Sequence, residues 1–465
     1  MIFNILIKEK MKKNIYILII LAATFLSCQK EFLKDKTDKA LLVPKTLTDF
    51  ENLLDNLNVF NITPSLPVIA SDDYYTTGAK VNTYIGAYQK NSYIWAEDID
   101  EGLSILDWNT PYQQIFYANI VLDGLLDIEP ISSPQQEWNR IKGSALFHRA
   151  FAFYNIAQMY AKPYNKSTAR SDLGIPIRLE GDVNIKSSRG TLQQTYDQII
   201  KDLKEAEVLL PNSSNFQTRP NKIATQALLA RVYLNMEDYD NALLYATAVL
   251  KFNSSLIDYN TLSKTSLAPF PVAPNNVNIE TIFYSRMTTY TFGGATNATV
   301  DNSLYESYSA DDLRKIIFFT GSNPSWFKGR YTGSIGTLFS GLARDEIYLI
   351  KAECEARAGK LQNAMDNLNI LLKTRYNNTV NYITLTAVDS TDALNQILEE
   401  RRKELVFRGL RWGDLRRLNK DNRYQITISH TLEGQIYTLL PNSNRYTFPI
   451  PKLETLLSGL EQNLR

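Results

Sequence analysis

Ala224 to Phe252, ATQALLARVYLNMEDYDNALLYATAVLKF, decides the fold, because two amphipathic helices and the turn between them can be read in it residue by residue. Leu229, Ala230 and Tyr233 share one face of a first helix, Asp238-Tyr239 mark the turn, and Ala242, Ala246 and Val249 line a second helix. The same spacing returns in Ile347 to Arg375. There Ala352 stands where Ala230 does, Gly359-Lys360 make the turn, and Ala364, Leu368 and Leu371 follow at the same offsets. Small residues at fixed positions let two helices cross closely, which is the tetratricopeptide (TPR) solution, and each pair buries a face that its neighbour supplies.

Outward from these copies, two less regular pairs extend the pattern. Gly143 to Tyr160 opens one and Thr191 to Leu210 completes it, around a stretch with Pro163, Gly174, Pro176 and Gly181 that is too rich in breakers to be helical. The other runs from about Asp392 to Leu418. The expected fold is therefore mostly α, a superhelical scaffold of about four pairs near 143–210, 224–252, 347–375 and 392–418. Residues 254–341 break the repeat with Pro269, Pro271, Pro274 and Gly293-Gly294, and aromatic residues are spread between them. A long irregular insertion in a solenoid is usually functional, so this one is expected to form the ligand side.

The N-terminus fixes the compartment. Met11-Lys12-Lys13-Asn14 is a positive n-region, and Ile15 to Leu26 has the length of a signal-peptide h-region, roughly 7–15 residues, rather than that of a membrane span. Phe25-Leu26-Ser27-Cys28 resembles a lipobox, in which a cysteine is joined to diacylglycerol and becomes the mature N-terminus. Residues 1–27 are thus read as a lipoprotein signal peptide, 28–44 as lipidated N-terminus and tether, and 45–465 as the helical domain. Cys28 would hold the protein to a lipid bilayer. Losing the lysine-rich leader turns the formal charge of +1 slightly negative. That balance argues against a nucleic-acid binder, which needs a basic face. Cys354, the other cysteine, lies in the helical run Ala352 to Ala356 and reads as a packing residue.

Catalytic chemistry is sparse. With only His148 and His430, metal sites rich in histidine and a Ser-His-Asp triad are poor fits, and there is no glycine-rich phosphate loop. Asp72-Asp73 could be imagined as an acid pair, but adjacent loop residues are expected to point apart, and a glycosidase needs two carboxyls facing each other. The reading is a binding protein and not an enzyme, with no cofactor implied and no metal ligands assigned. What remains is recognition, carried by some of the 27 tyrosines. Tyr74, Tyr75 and Tyr84, with Tyr88 and Tyr93, lie in the first loop region, and Tyr290, Tyr305 and Trp326, with Phe292, Tyr308 and Tyr331, lie in the insertion. These offer flat apolar faces with polar edges that suit sugar rings and peptide side chains equally. Asp72, Asp73 and Arg330 could add directional hydrogen bonds.

One further stretch names a family. Glu400 to Arg417, ERRKELVFRGLRWGDLRR, resembles the E-R-R-x-E-L-x-F-E-G-x-R-W-x-D-L-R-R pattern of the SusD/RagB outer-membrane lipoproteins of Bacteroidetes, with Arg408 in place of the usual acid and Gly413 in place of the usual aromatic. Phe448-Pro449-Ile450-Pro451 with Glu454, then Gln462-Asn463, agree in order, although Ser458-Gly459 replaces the family's Asn-Pro. Phe32-Leu33, and Trp108 with Tyr112 and Asn119, also fit. Physically, the charges of Glu400 to Lys403 recur at helical neighbour spacing, so a paired helix face is expected before any ligand contact. The resemblance implies a surface-exposed nutrient-binding lipoprotein that caps a SusC-like, TonB-dependent β-barrel and hands it an oligosaccharide or an oligopeptide. It leaves those two ligand classes open. A TPR adaptor without a nutrient ligand is the alternative from another class.

Overall fold

The computed structural model describes residues 44–128, 135–274, 277–294, 296–321 and 325–465. The leader, Cys28 and the tether up to residue 43 lie outside the described residues. Ten described helices have eight residues or more: α1 (Leu47–Leu54), α2 (Leu106–Gly124), α3 (Gln135–Tyr160), α4 (Leu192–Leu209), α5 (Lys222–Asn235), α6 (Tyr239–Phe252), α7 (Arg344–Arg357), α8 (Leu361–Lys373), α9 (Ser390–Glu404) and α10 (Arg411–Leu418).

The repeat read in the sequence forms as two antiparallel pairs, α5 with α6 and α7 with α8. Ala230, Ala242 and Ala246, and their counterparts Ala352 and Ala364, are completely buried where the helices cross. The turn needs one left-handed residue. Gly359 supplies it at φ 73° between α7 and α8, and Glu237 at φ 59° occupies the equivalent place between α5 and α6. A non-glycine residue there costs about 1–2 kcal/mol, which the packing of the pair must offset. Asp238 then caps α6 by accepting from the Asn241 amide, as Asn221 caps α5 through Ala224. Stacking continues from α3 onto α4, α4 onto α5 and α6 onto α7. The breaker-rich stretch after Tyr160 forms a small antiparallel ladder of β3 (Leu173–Pro176) and β4 (Arg189–Thr191). In front of α3 lies α2, a layer that the four-pair reading omitted.

The fourth pair is corrected by the structure. α9 packs on α7 and α8, whereas the eight-residue α10 lies against α5. Between them Phe407 (φ 57°) and Gly409 (φ 76°) turn the chain through left-handed conformations, so α10 leaves at a different angle and buries Trp412 and Leu415 elsewhere.

The insertion is not a loose aromatic loop. Tyr259, Phe270, Phe318, Phe319, Phe327, Tyr331 and Phe339 are buried and packed ring against ring in the main core. Short ladders fasten it to the rest: β1 (Ile62–Thr63) pairs in parallel with β6 (Arg286–Met287), β2 (Tyr74–Tyr75) antiparallel with β7 (Thr299–Val300), and β5 (Thr281–Phe283) antiparallel with β8 (Leu342–Ala343). The two regions singled out for ligand binding are thereby brought side by side. A hairpin of β9 (Ile428–Leu432) and β10 (Gln435–Leu439) closes one edge. The C-terminal turn forms with Gly459 at φ 73°, and the Asn463 side-chain amide donates to the Tyr160 and Phe448 carbonyls, both at 2.8 Å.

His148, in α3, is a core residue as expected: burial holds its imidazole at about 3, and its ring packs 4.6 Å from Phe60. Cys354 is buried as well. The charge run of α9 and α10 is paired, also as expected, and its partners include distant carboxylates. Arg417 donates to both oxygens of Glu353 in α7 at 2.5 and 2.7 Å, and Arg357 adds a third contact at 2.9 Å. Burial pushes the Glu353 carboxyl up, but Arg417 and Arg357 outweigh it and hold it at about 2, below its ordinary 4.5. A depressed carboxylate stabilises the fold above its unfolded value and loses that contribution as pH falls through 4.5 toward 2. The contribution is on the order of 3 kcal/mol. Glu353→Gln is therefore expected to flatten the loss of stability between pH 5 and pH 2 by roughly that amount. Denaturant melts across this range check it, and an acid limb as steep in the variant as in the parent would contradict the assignment.

Candidate functional site

Asp72 and Asp73 begin the site, and they do not point apart as their adjacency in a loop had suggested. Both carboxylates converge on Arg402 of α9: its Nη2 lies 3.2 Å from Asp72 Oδ2 and its Nε donates to Asp73 Oδ1 at 2.9 Å. Arg411, the first residue of α10, grips Asp72 with two parallel bonds, 2.7 Å to Oδ1 and 2.8 Å to Oδ2. Burial alone would raise the Asp72 carboxyl, but Arg411 and Arg402 override it and leave it well below the usual range. Asp73 is buried more completely, and burial raises its carboxyl. These acids hold the segment that follows them, and Asp72 also lines a groove beside it.

That segment enters β2. Tyr74 points inward, buried edge-on between Tyr93 and Phe292, with its hydroxyl against that of Tyr84. Tyr84 is half-buried and lies 3.0 Å from Thr76 Oγ1. Tyr75 faces the other way and stays half-exposed, as alternation along a strand requires. Opposite Tyr75 stands Thr299, and opposite Thr299 stands Trp326, so the three side chains share one face. Lys80 covers the middle: its Nζ donates to Thr296 O at 2.9 Å and Thr299 Oγ1 at 3.2 Å, and lies 5.8 Å from the Trp326 ring centre. Tyr75, Lys80 and Trp326 thus form a half-exposed platform.

Beside the platform runs a groove of about 610 Å³, walled by Asp72, residues 74–78, Asp301, Ser303, Arg402, residues 426–431 and Glu433. Its floor includes His430, whose ring is stacked between Tyr93 (4.1 Å) and Trp95 (4.4 Å) with its nitrogens against the Tyr93 and Ser71 carbonyls. Burial lowers this imidazole below its ordinary value. Ser429 and Thr431 alternate outward from His430, adding hydroxyls to the wall. Asp301 uses one oxygen to cap the short helix Asn302–Glu306. Among the described residues neither Asp301 nor Glu433 has an ion-pair partner, so the groove offers two carboxylates and a row of hydroxyls beside aromatic rings.

The remaining expected residues divide. Tyr305 is half-buried, with Lys315 Nζ 4.8 Å from its ring centre, and it does not line the groove. Tyr290 is interior: its hydroxyl donates to Asp107 Oδ2 at 2.5 Å, while Asp107 Oδ1 accepts from the Ser65 and Leu66 amides. Burial pushes the Asp107 carboxyl up to about 6 and the Tyr290 phenol far above its ordinary value. Phe292, Tyr308, Tyr331 and Arg330 are also buried. The β9–β10 hairpin was missed by the sequence reading, although its signal was present. Ile428, His430 and Leu432 alternate with polar residues up to Glu433-Gly434, and both turn residues adopt positive φ.

Comparison with known proteins agrees with this architecture. Residues 31–234 match a SusD-like family model described as starch-binding associating with outer membrane, and residues 345–464 match the model of the SusD family. SusD-like protein P38 of Formosa agariphila is 24% identical, with 75% of this chain and 78% of that protein covered. A SusD superfamily protein from Bacteroides thetaiotaomicron superposes with a TM-score of 0.70 at 23% identity, covering 90% of this chain and 100% of that one. A SusD-like carbohydrate binding protein from Bacteroides vulgatus gives 0.67 at 20%, covering 90% and 97%. With residues 31–234 and 345–464 matched by SusD-type family models, and 90% of the chain superposing on a solved SusD superfamily protein, this chain belongs to the SusD/RagB family.

Proposed function

We propose that this chain captures an oligosaccharide at the outer surface of the cell and passes it to a SusC-like, TonB-dependent barrel. Lipid attached to Cys28 would hold it to the outer membrane. The observation that carries this reading is the half-exposed Tyr75–Lys80–Trp326 face beside the 610 Å³ groove, built where the two expected ligand regions meet. A flat ring stacks on the apolar face of a sugar, and the carboxylates of Asp301 and Glu433 with the Ser429 and Thr431 hydroxyls suit its hydroxyl groups. The matched family's description as starch-binding, and the carbohydrate-binding name of the Bacteroides vulgatus relative, favour glycan over peptide. The lid mechanism needs no chemistry in this chain: ligand bound by both proteins stabilises the closed complex, and the transporter supplies the energy of release.

Calorimetric titration of the lipid-free mature chain against a panel of oligosaccharides and a pool of oligopeptides tests the ligand class. Heat with one glycan class is the expected result. Heat only with peptides replaces the glycan reading, and silence with both, followed by undiminished binding to a partner protein, would favour the adaptor.

A further inference from the structure

Behind the groove, on the other side of α9 and α10, lies a deeply set cavity of about 50 Å³. A single water needs roughly 10–15 Å³ of such space, so this one has room for more than a single water molecule. Its lining is unusual in sign. Arg401 Nη1, Arg408 Nε and Nη2, and Trp412 Nε1 are buried without an acceptor in the protein, and their residues line this cavity together with Asn155, whose Nδ2 is likewise unpaired. Arg401, Arg408 and Trp412 are each more than nine-tenths buried. The first turn of α10, which has no side-chain cap, contributes Trp412, Gly413 and Asp414 to the same wall and brings the positive end of the helix dipole.

The nearby carboxylates are already engaged. Asp414 accepts from Arg401 at 2.8 Å and Arg417 at 2.9 Å, Asp345 from Arg408 Nη1 at 2.9 Å, and Glu346 from Arg231 at 2.8 and 2.6 Å. Asn235 and Gln158 also line this space, with Asn235 Oδ1 and Gln158 Oε1 each 3.3 Å from where a Gly413 Cβ would stand. Unpaired buried donors cost about 1–3 kcal/mol each, and more when charged. The Arg408 guanidinium also lies over the Tyr331 and Phe339 rings at 4.4 and 4.6 Å, but it and its neighbours leave several such donors on residues that line one space, which calls for a shared acceptor. The two departures within the Glu400 to Arg417 stretch, Arg408 and Gly413, fall on the lining. The arginine adds donors, and the glycine leaves room.

We propose that this cavity binds a small inorganic anion, a halide or an oxyanion, held by the guanidinium groups of Arg401 and Arg408, the Trp412 indole and the start of α10. The site is separate from the ligand groove but mechanically joined to it. Arg402 and Arg411, which grip Asp72, are the immediate chain neighbours of Arg401 and Trp412. The anion fastens the back of the segment whose front carries the groove.

The mature chain is melted at constant ionic strength while sodium gluconate, too large for the cavity, is replaced by bromide or by sulfate. The expected result is a melting temperature about 3 °C higher at a hundredfold excess over the dissociation constant. Trp412→Phe keeps the ring and removes the donor, and should weaken the anion about tenfold. Because sulfate also stabilises proteins generally, the difference between parent and variant is the readout. Asn155→Leu, at a half-buried position, is the second variant should the first not fold. Crystals grown in bromide should show an anomalous peak against Arg408 and Trp412. A response to bromide alone assigns a halide and a response to sulfate alone an oxyanion. Parent and variants that melt alike in all three salts, with only water in the cavity, overturn the proposal.

Discussion

Replacing Arg314 by methionine is expected to lower the unfolding free energy by about 3–5 kcal/mol, the cost of breaking a buried ion pair by removing one partner. Arg314 is completely buried and joins three carboxylates: Asp312 through Nε at 2.9 Å and Nη2 at 2.7 Å, Glu400 through Nη2 at 2.5 Å, and Glu404 through Nη1 at 3.1 Å. Glu404 also accepts from Arg375, which closes the chain onto Glu280 with two bonds of 2.9 and 3.0 Å. One network thus ties the insertion to the end of α8 and to α9. Oxygens of Glu280, Asp345 and Glu404 lie within 4.8 Å of one another, a spacing that a cation could use, yet each of these acids is already matched to a guanidinium. Methionine keeps most of the volume but strands the Asp312 carboxylate, and leaves Glu400 with Lys403 alone and Glu404 with Arg375 alone. Stranded buried acids take up protons, so the variant should recover part of its loss as pH is lowered from 7 toward 5, the opposite of the Glu353 limb. Urea denaturation at both pH values is the measurement. A loss below about 1 kcal/mol at pH 7 would mean that the network contributes no more than a surface pair.

The same network marks the boundary of what the sequence could disclose. Ala230 and Ala352, with the offsets that follow them, can be read locally, because a helix pair is specified by residues within about thirty positions of one another. Glu237 in the left-handed turn position is less legible than Gly359, since its backbone strain is outweighed by packing that no local pattern displays. Asp72 and Arg411 are 339 positions apart, and nothing near either residue says that they meet. The tyrosines were the hardest to place. Tyr290, Tyr308 and Tyr331 share the composition and breaker-rich context of a binding loop, but their hydroxyls are committed to Asp107, the Lys403 carbonyl and Glu280. A ring with a polar tip is as well suited to a satisfied core as to a ligand face. Only the strand alternation at Tyr74-Tyr75 separates the two uses, and a two-residue strand is too short to be heard in a sequence.

Alternation also determines which aromatics should matter for ligand capture, and here the second large effect is expected. Tyr75→Ala and Trp326→Ala should each weaken binding of the glycan that titrates by about 10- to 30-fold, the range of a central aromatic contact worth about 1.5–2 kcal/mol. Both side chains are half-exposed, so the melting temperature should fall by little. Tyr290→Phe is the contrasting change. It removes the donor to Asp107 from a buried site, and it should cost stability of about 1–3 kcal/mol while leaving affinity within a factor of two, because the hydroxyl lies behind the platform. The double variant at Tyr75 and Trp326 decides whether the two rings act on one ligand. Thr299 alone separates them in the ladder, so a single oligosaccharide can span both, and losses that multiply to more than about a hundredfold are expected when each ring holds its own sugar unit. Calorimetry of the three single variants and the double variant with the same glycan provides the comparison. If Tyr290→Phe weakened binding as much as Tyr75→Ala, the ligand would have to enter between β2 and α2, and the outward face of β2 would lose its claim to the site.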